Sequence, residues 1–217
     1  GPSGSTAGDR DLNLGARFDL LRQWRMGKEV PEKADSWTLR AVDRTSRQIQ
    51  RLLPKSSSLP GEEPADLIPR LLLRAFPDRI AKRREEGGNR FILSQGRGMR
   101  VSSLQGLADG PFLIAVQVDA GEKAEGVIHL AEPVGEDLLR KVLADRLETR
   151  RRVEWDREEG RIIALLEERL GAVQISARQI SPEEQEVASL LCAEIRSGSV
   201  KLIFREEARQ FQGRVAL

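Results

Sequence analysis

The apolar period of this chain changes at Gly87-Gly88, and that change limits what it can fold into. Upstream, apolar residues recur every three or four positions; downstream, they alternate. A period of 3.6 puts residues on one face of a helix, and a period of 2 puts them on one face of a strand. The chain is therefore read as α+β: a small helical bundle, then a β-rich part. Residues 13–26 read as a helix with Phe18, Leu21 and Trp24 on a shared face and Gly27 closing it. Asp35 or Ser36 caps the next helix, where Leu39, Val42, Ser46, Ile49 and Leu53 form one apolar seam opposite Arg40, Arg44, Arg47 and Arg51. After a loop at 55–64, a third helix begins near residue 63. It turns Ile68, Leu71, Leu72, Ala75 and Phe76 inward, and Pro77 breaks it. Residues 78–84 read as a further short helical turn.

Past the glycine pair, 90–94 alternates with Phe91 and Leu93 on one face, and Gly96-Arg97-Gly98 makes a tight turn into 99–102. Residues 112–119 are the strongest strand, with Phe112, Ile114, Val116 and Val118 on one side, and 127–131 is another. A helix at 135–147 follows, then strands at 148–156, 161–170 and 172–180. Short strands, one helix inserted after the third or fourth, and a final hairpin are the order of an OB-type Greek-key barrel. A β-sandwich is the alternative, and the lone central helix argues against it. Ser181-Pro182-Glu183-Glu184 reads as a helix start with Ser181 as N-cap. Lys201 to Phe204 is a short apolar segment, with helix resuming after it. The expected organisation is 1–84 helical bundle, 85–180 OB-fold-like domain and 181–217 a C-terminal helical segment. A first residue Gly1, and a last stretch GRVAL that reads as helix, lead us to expect part of a longer polypeptide.

Charge is distributed unevenly. Between residues 79 and 100 stand Arg79, Lys82, Arg83, Arg84, Arg90, Arg97 and Arg100 against Glu85 and Glu86. Seven against two is a local balance of +5, in a chain whose formal total is +2. Cations gathered where helices give way to a sheet, beside a Gly-Arg-Gly turn, suit phosphate binding. They also suit a solvated helix end, since Lys and Arg favour C-terminal turns. Arg150-Arg151-Arg152 is a second cluster. On a strand Arg150 and Arg152 share one side and Arg151 takes the other, so only part of the run can serve one surface.

Several function classes are excluded. No glycine-rich loop ending in Lys-Ser/Thr is present, so no phosphate-cradling nucleotide motif exists. One histidine, His129, and one cysteine, Cys192, leave no metal site built on several such ligands. The single cysteine also rules out an internal disulfide and fits a cytoplasmic setting. No apolar run approaches the roughly 20 residues that span a bilayer, so no membrane partner is expected. No carboxylate pair or nucleophile–base set stands out, and no catalytic residue is assigned.

Four segments together carry a resemblance: A-F-P-D-R-I-A-x-R-R from Ala75, G-N-R-F-I-L-S-Q-G-R-G from Gly88, V-E-W-D-x-x-x-G-R-I-I-A from Val153 and R-L-G-A-V-Q-I-S from Arg169. They resemble the bacterial HrpB branch of the DEAH/RHA RNA helicases. The resemblance implies the end of a helicase ratchet-like helical domain, an OB-fold domain and the start of an HrpB-type C-terminal region. It implies RecA-like motor domains elsewhere in the same polypeptide, which would carry ATP and Mg, with no cofactor in this segment. It implies single-stranded RNA as partner, and places Arg79, Lys82, Arg83 and Arg97 along or beside the RNA channel. Without the resemblance, a non-catalytic protein-interaction or regulatory module that binds no nucleic acid fits the same residues.

Overall fold

A computed structural model describes residues 12–31, 34–53, 66–104, 107, 110–119 and 125–198. The expected N-terminal flexible stretch, the 55–64 loop and the segment from Lys201 onward lie outside the described residues. The chain divides into two compact units, one of residues 1–148 with 170–174, the other of 149–169 with 175–217.

The first unit opens with helix α1 (Leu14–Arg25). Asn13 is its N-cap, accepting from the Ala16 N–H at 3.0 Å. Helix α2 (Ser36–Leu52) is capped by Asp35, which accepts from the N–H groups of Trp37 and Thr38. The two helices meet through Asp43, buried, which accepts from Arg25 Nε at 2.7 Å and pairs with Arg47 Nε at 2.9 Å. The expected seam of α2 is mostly not a buried seam: Leu39 is buried, but Val42, Ile49 and Leu53 are exposed. In helix α3 (Leu67–Ala75), Leu73 is fully buried while Leu71 and Ala75 are exposed. Its inward face is thus rotated from the expected one, because α3 packs on strand β4 (Phe112–Asp119) and helix α4 (Glu136–Val142).

Pro77–Arg79 is one 3-10 turn, and then the chain extends. Ile80–Arg83 is strand β1, where a helical turn was expected. Four residues carry little periodic signal. They become a strand because both edges are paired, Ile80–Lys82 with β4 and Ala81–Arg83 with β2 (Arg90–Leu93). Strand β3 (Gly98–Val101) pairs antiparallel with β2 and parallel with β5 (Gly126–Pro133), and β5 pairs antiparallel with β4. The order β1-β2-β3-β5-β4 closes on itself, a five-stranded barrel of OB type. The fold is therefore α+β, with helical segments flanking an OB-like barrel, as the sequence indicates.

Inside the barrel lie Ala81, Phe91, Leu93, Met99, Val101, Leu113, Ala115, Ile128 and Ala131, with Leu12 and Leu107 buried in the same cluster. The alternation expected along β4 breaks at a bulge. Register shifts between Ala115 and Val118 put Leu113 and Ala115 inside before it and Val118 inside after it. Helix α1 is fastened to this barrel by backbone and side chain. Ala131 N–H donates to Leu12 O at 2.8 Å, and the Gly15 N–H donates to the buried Glu132 carboxylate at 2.7 Å. Burial pushes the Glu132 carboxyl above its ordinary value; the Gly15 bond acts against that and the nearby Asp19 charge adds to it. The helix α4 expected at 135–147 ends at Val142, and Ala144–Arg146 is a 3-10 turn.

Strands β6 (Glu148–Asp156), β7 (Arg161–Leu170) and β8 (Val173–Ile180) form their own three-stranded sheet in the order β6-β7-β8. The sequence order alone suggested that they continue the barrel. Five earlier strands already close it, so no open edge is left to join. Within the second unit, Glu167 of β7 is 1% exposed and accepts from Arg169 Nη1 at 2.8 Å, with Arg152 Nη1 3.6 Å away. Burial works to raise its carboxyl, but the Arg169 hydrogen bond and the two positive charges outweigh it and hold it below its ordinary value. Helix α5 (Glu184–Arg196) starts two residues later than a Ser181 cap implies. Arg151 explains the shift: it donates to Ser181 O at 2.8 Å and to both Glu186 oxygens, so the capping box falls on Glu183 and Glu186.

Candidate nucleic-acid interface

The +5 stretch maps onto β1, β2, β3 and their two turns, all in the first unit. Arg79 ends the 3-10 turn, its guanidinium 5.0 Å from the centre of the Phe76 ring, and Nη1 donates to Val116 O at 2.9 Å. Val116 sits at the β4 bulge, where the carbonyl is out of register with β5, so Arg79 supplies a donor the ladder does not. Lys82 points outward from β1 and donates to Gln174 O at 2.8 Å, its ammonium 5.8 Å from the Phe112 ring centre. Arg83 is 8% exposed; its guanidinium lies 5.1 Å from the Phe91 ring centre and donates to Gly88 O at 2.7 Å. It ties the glycine turn to β1.

Arg97 is half-buried in the β2–β3 turn, and backbone hydrogen bonds hold that turn. Leu93 N–H donates to Arg97 O at 2.9 Å, and Ala172 N–H donates to Ser94 O at 2.8 Å. Gly171 makes the second bond possible. It has φ +55°, and a Cβ there would stand 2.3 Å from Ser94 O. Residues 170–174 thus clamp the turn that presents Arg97.

The four residues expected at an RNA channel all lie in the first unit, with Lys82 turned outward from β1 and Arg83 buried against Phe91. Arg79 and Arg83 each also hold a backbone carbonyl of the barrel or its turns, and Lys82 holds one of β8. The exposed cations of the stretch are others: Arg84, Arg90 and Arg100. Sequence reasoning counted these three in the stretch but did not assign them to the site. The signal was the alternation itself, since Phe91 and Met99 point inward and turn Arg90 and Arg100 outward. Among the described residues, no group of three or more His, Cys, Asp or Glu could hold a metal ion. No described helix is long and apolar enough to cross a membrane.

An OB-type barrel with a cationic face is the architecture of many nucleic-acid-binding modules. No family model matches the chain. It is similar to the ATP-dependent RNA helicase HrpB of Escherichia coli strain K12, 29% identical over 172 residues, covering 78% of this chain and 21% of that protein. A crystal structure of the E. coli DExH-box NTPase HrpB matches with TM-score 0.50 and 26% identity, over 83% of this chain and 22% of that one. A second, of the E. coli DEAH/RHA helicase HrpB, matches in fold with TM-score 0.54 and 23% identity, over 87% and 21%. The chain spans about a fifth of the length of these relatives. The likeness bears out the resemblance to the C-terminal region of an HrpB-type helicase.

Proposed function

We propose that this chain is an accessory nucleic-acid-binding region of an ATP-dependent RNA helicase. It guides single-stranded RNA for RecA-like motor domains of the same polypeptide, which bind ATP and Mg and do the hydrolysis. The observation that carries this reading is the +5 stretch gathered on β1–β3 of an OB-type barrel, in a chain similar to HrpB. Arg79, Lys82 and Arg97, each half-buried, border the strand's path, and Arg83 braces the barrel beneath it. An arginine has five N–H donors, so one given to a carbonyl leaves others for phosphate.

Binding carried by phosphates weakens as salt rises, and largely ignores base sequence. Anisotropy titrations of labelled oligouridylate and oligoadenylate against potassium chloride measure both properties. Affinity that is indifferent to salt, or no binding at low salt, refutes the reading. Lys82→Glu with Arg97→Glu tests the path: unchanged RNA affinity in that double variant removes these residues from it. The exposed Val42, Ile49 and Leu53 of α2 favour a second reading, a protein-interaction module that binds no nucleic acid. Salt-independent partner capture without RNA would decide for it.

A further inference from the structure

The strand registers place three arginines in one row across the sheet. Arg84 N–H donates to Arg90 O at 3.0 Å, setting Arg84 beside Arg90, and Arg90 is the Cα partner of Arg100. Neighbouring strands lie about 4.8 Å apart, so the row spans roughly 10 Å at Cα. All three side chains are exposed on the outer face, opposite Phe91 and Met99. Like charges directly opposite one another across strands destabilise a sheet, and the fold offers little in return. The guanidinium groups of Arg84 and Arg100 have no ion pair or side-chain hydrogen bond among the described residues. Arg90 has only Glu125, with Nε 3.8 Å from Oε1, too long for a hydrogen bond. Gly98 supplies the floor. Arg84 Nη2 lies 3.3 Å from where a Gly98 Cβ would be, so the guanidinium rests over the glycine backbone, where the Glu125 side chain also lies, its Oε1 3.8 Å from the same point. Ile92, half-buried, and Gly98 are register partners in the next row. They give a flat, partly apolar strip beside the cations.

We propose that Arg84, Arg90 and Arg100 form a phosphodiester-binding row for single-stranded RNA, and this rests on the strand-guiding reading above. Guanidinium takes phosphate through two parallel N–H bonds. Three of them at strand spacing meet successive phosphates of one extended chain, while sugars or bases lie against Ile92. The row is the primary contact; the half-buried Arg79, Lys82 and Arg97 border it.

The test uses the 217-residue chain and fluorescein-labelled oligouridylate at about 0.1 M potassium chloride. In Arg84→Gln/Arg90→Gln/Arg100→Gln, affinity falls on the order of 30-fold or more, and the slope of log affinity against log salt becomes shallower by about 2, the loss of three contacts to a single strand. A charge-matched triple, Arg146→Gln/Arg157→Gln/Arg178→Gln, removes the same charge from other exposed positions and costs less than threefold. The triple lysine variant of the row keeps its charge, recovers most of the slope and part of the affinity, and reports on the site even if the glutamine triple folds poorly. If the parent chain binds and the row and control triples lose affinity equally, the row is not the site and the strand-guiding reading stands. If polyglutamate displaces the RNA at equal charge concentration, the row docks an acidic protein and the proposal falls. If the parent chain binds no oligouridylate at any salt, the strand-guiding reading fails and takes the row with it.

Discussion

Two stretches of this chain are dense in arginine, and the fold treats them oppositely. In β6, Arg151 is engaged by Glu186 and Ser181 O, and Arg152 faces Glu154 and the buried Glu167. On β1–β3, Arg84 and Arg100 form no ion pair among the described residues, and Arg90 Nε stands 3.8 Å from Glu125. In the first cluster Arg151 and Arg152 are paired within their own unit, though Arg150 is exposed without an ion pair among the described residues; the second cluster is left largely open. A count of positive residues cannot separate them. What separates them is whether the strand or helix that packs alongside brings a carboxylate within reach.

The comparison can be broken most sharply at Glu167. Glu167→Ala leaves Arg169 and Arg152 without their shared buried partner, and breaking such a set costs about 3 kcal/mol. Urea unfolding of the variant measures it; a cost under about 0.5 kcal/mol would mean that the closed cluster is not held by its carboxylate. Next in size is Gly171→Ala. A left-handed residue that gains a Cβ loses about 1–2 kcal/mol, and here the Cβ would also meet Ser94 O. The total is about 2 kcal/mol or more in the same assay. Hydrogen exchange at Ala172 should rise with it, as the bond to Ser94 O weakens. Unaltered protection there would show that the Arg97 turn does not depend on the clamp.

Smaller effects sharpen the contrast. Arg84→Gln, Arg90→Gln and Arg100→Gln should each leave thermal stability within about 0.5 kcal/mol, since the open row holds nothing in the fold. A clear loss would mean that the row is structural. The two glutamates give opposite pH behaviour. Glu167 is held below its ordinary 4.5, so its contribution is complete above that value and is lost as pH falls through its folded value. Glu132 is raised above 4.5 by burial, so its contribution is present at low pH and lost as pH rises through its folded value. Relative to the parent chain, Glu167→Gln should therefore close its stability deficit on acidification. Glu132→Gln, which keeps an oxygen for the Gly15 N–H, should cost least near neutrality and fall behind as pH drops through the raised Glu132 value, levelling off below 4.5. Urea midpoints across pH 3–7 distinguish the two; parallel curves would contradict both assignments.

Much of the fold was legible in the residues. Helices α1 and α2, the strand β4 and the three long strands β6 to β8 follow from period, from Gly27 after α1 and from Asp35 before α2. Strand β1 was not legible, because four residues ending in Lys-Arg carry no alternation long enough to outvote a helical reading. The bulge in β4 was also hidden, since its sequence alternates cleanly through Val118. The candidate site was legible as a stretch and not as a surface. Arg83 and Arg84 are neighbours in sequence, yet one is buried against Phe91 and the other lies open.

The residues alone set the change of period at Gly87-Gly88, a cap at Asp35 or Ser36 for the second helix, and the gathering of seven cations between residues 79 and 100. These are local properties, set by side-chain spacing and backbone freedom within a few residues. Strand pairing was needed to show that the barrel closes through β1, that Arg79, Lys82 and Arg83 hold backbone carbonyls, and that Arg84, Arg90 and Arg100 line up exposed. Those outcomes depend on the register between strands and on carbonyls up to 92 residues away, as Gln174 is from Lys82. No window of sequence contains both partners of such a contact.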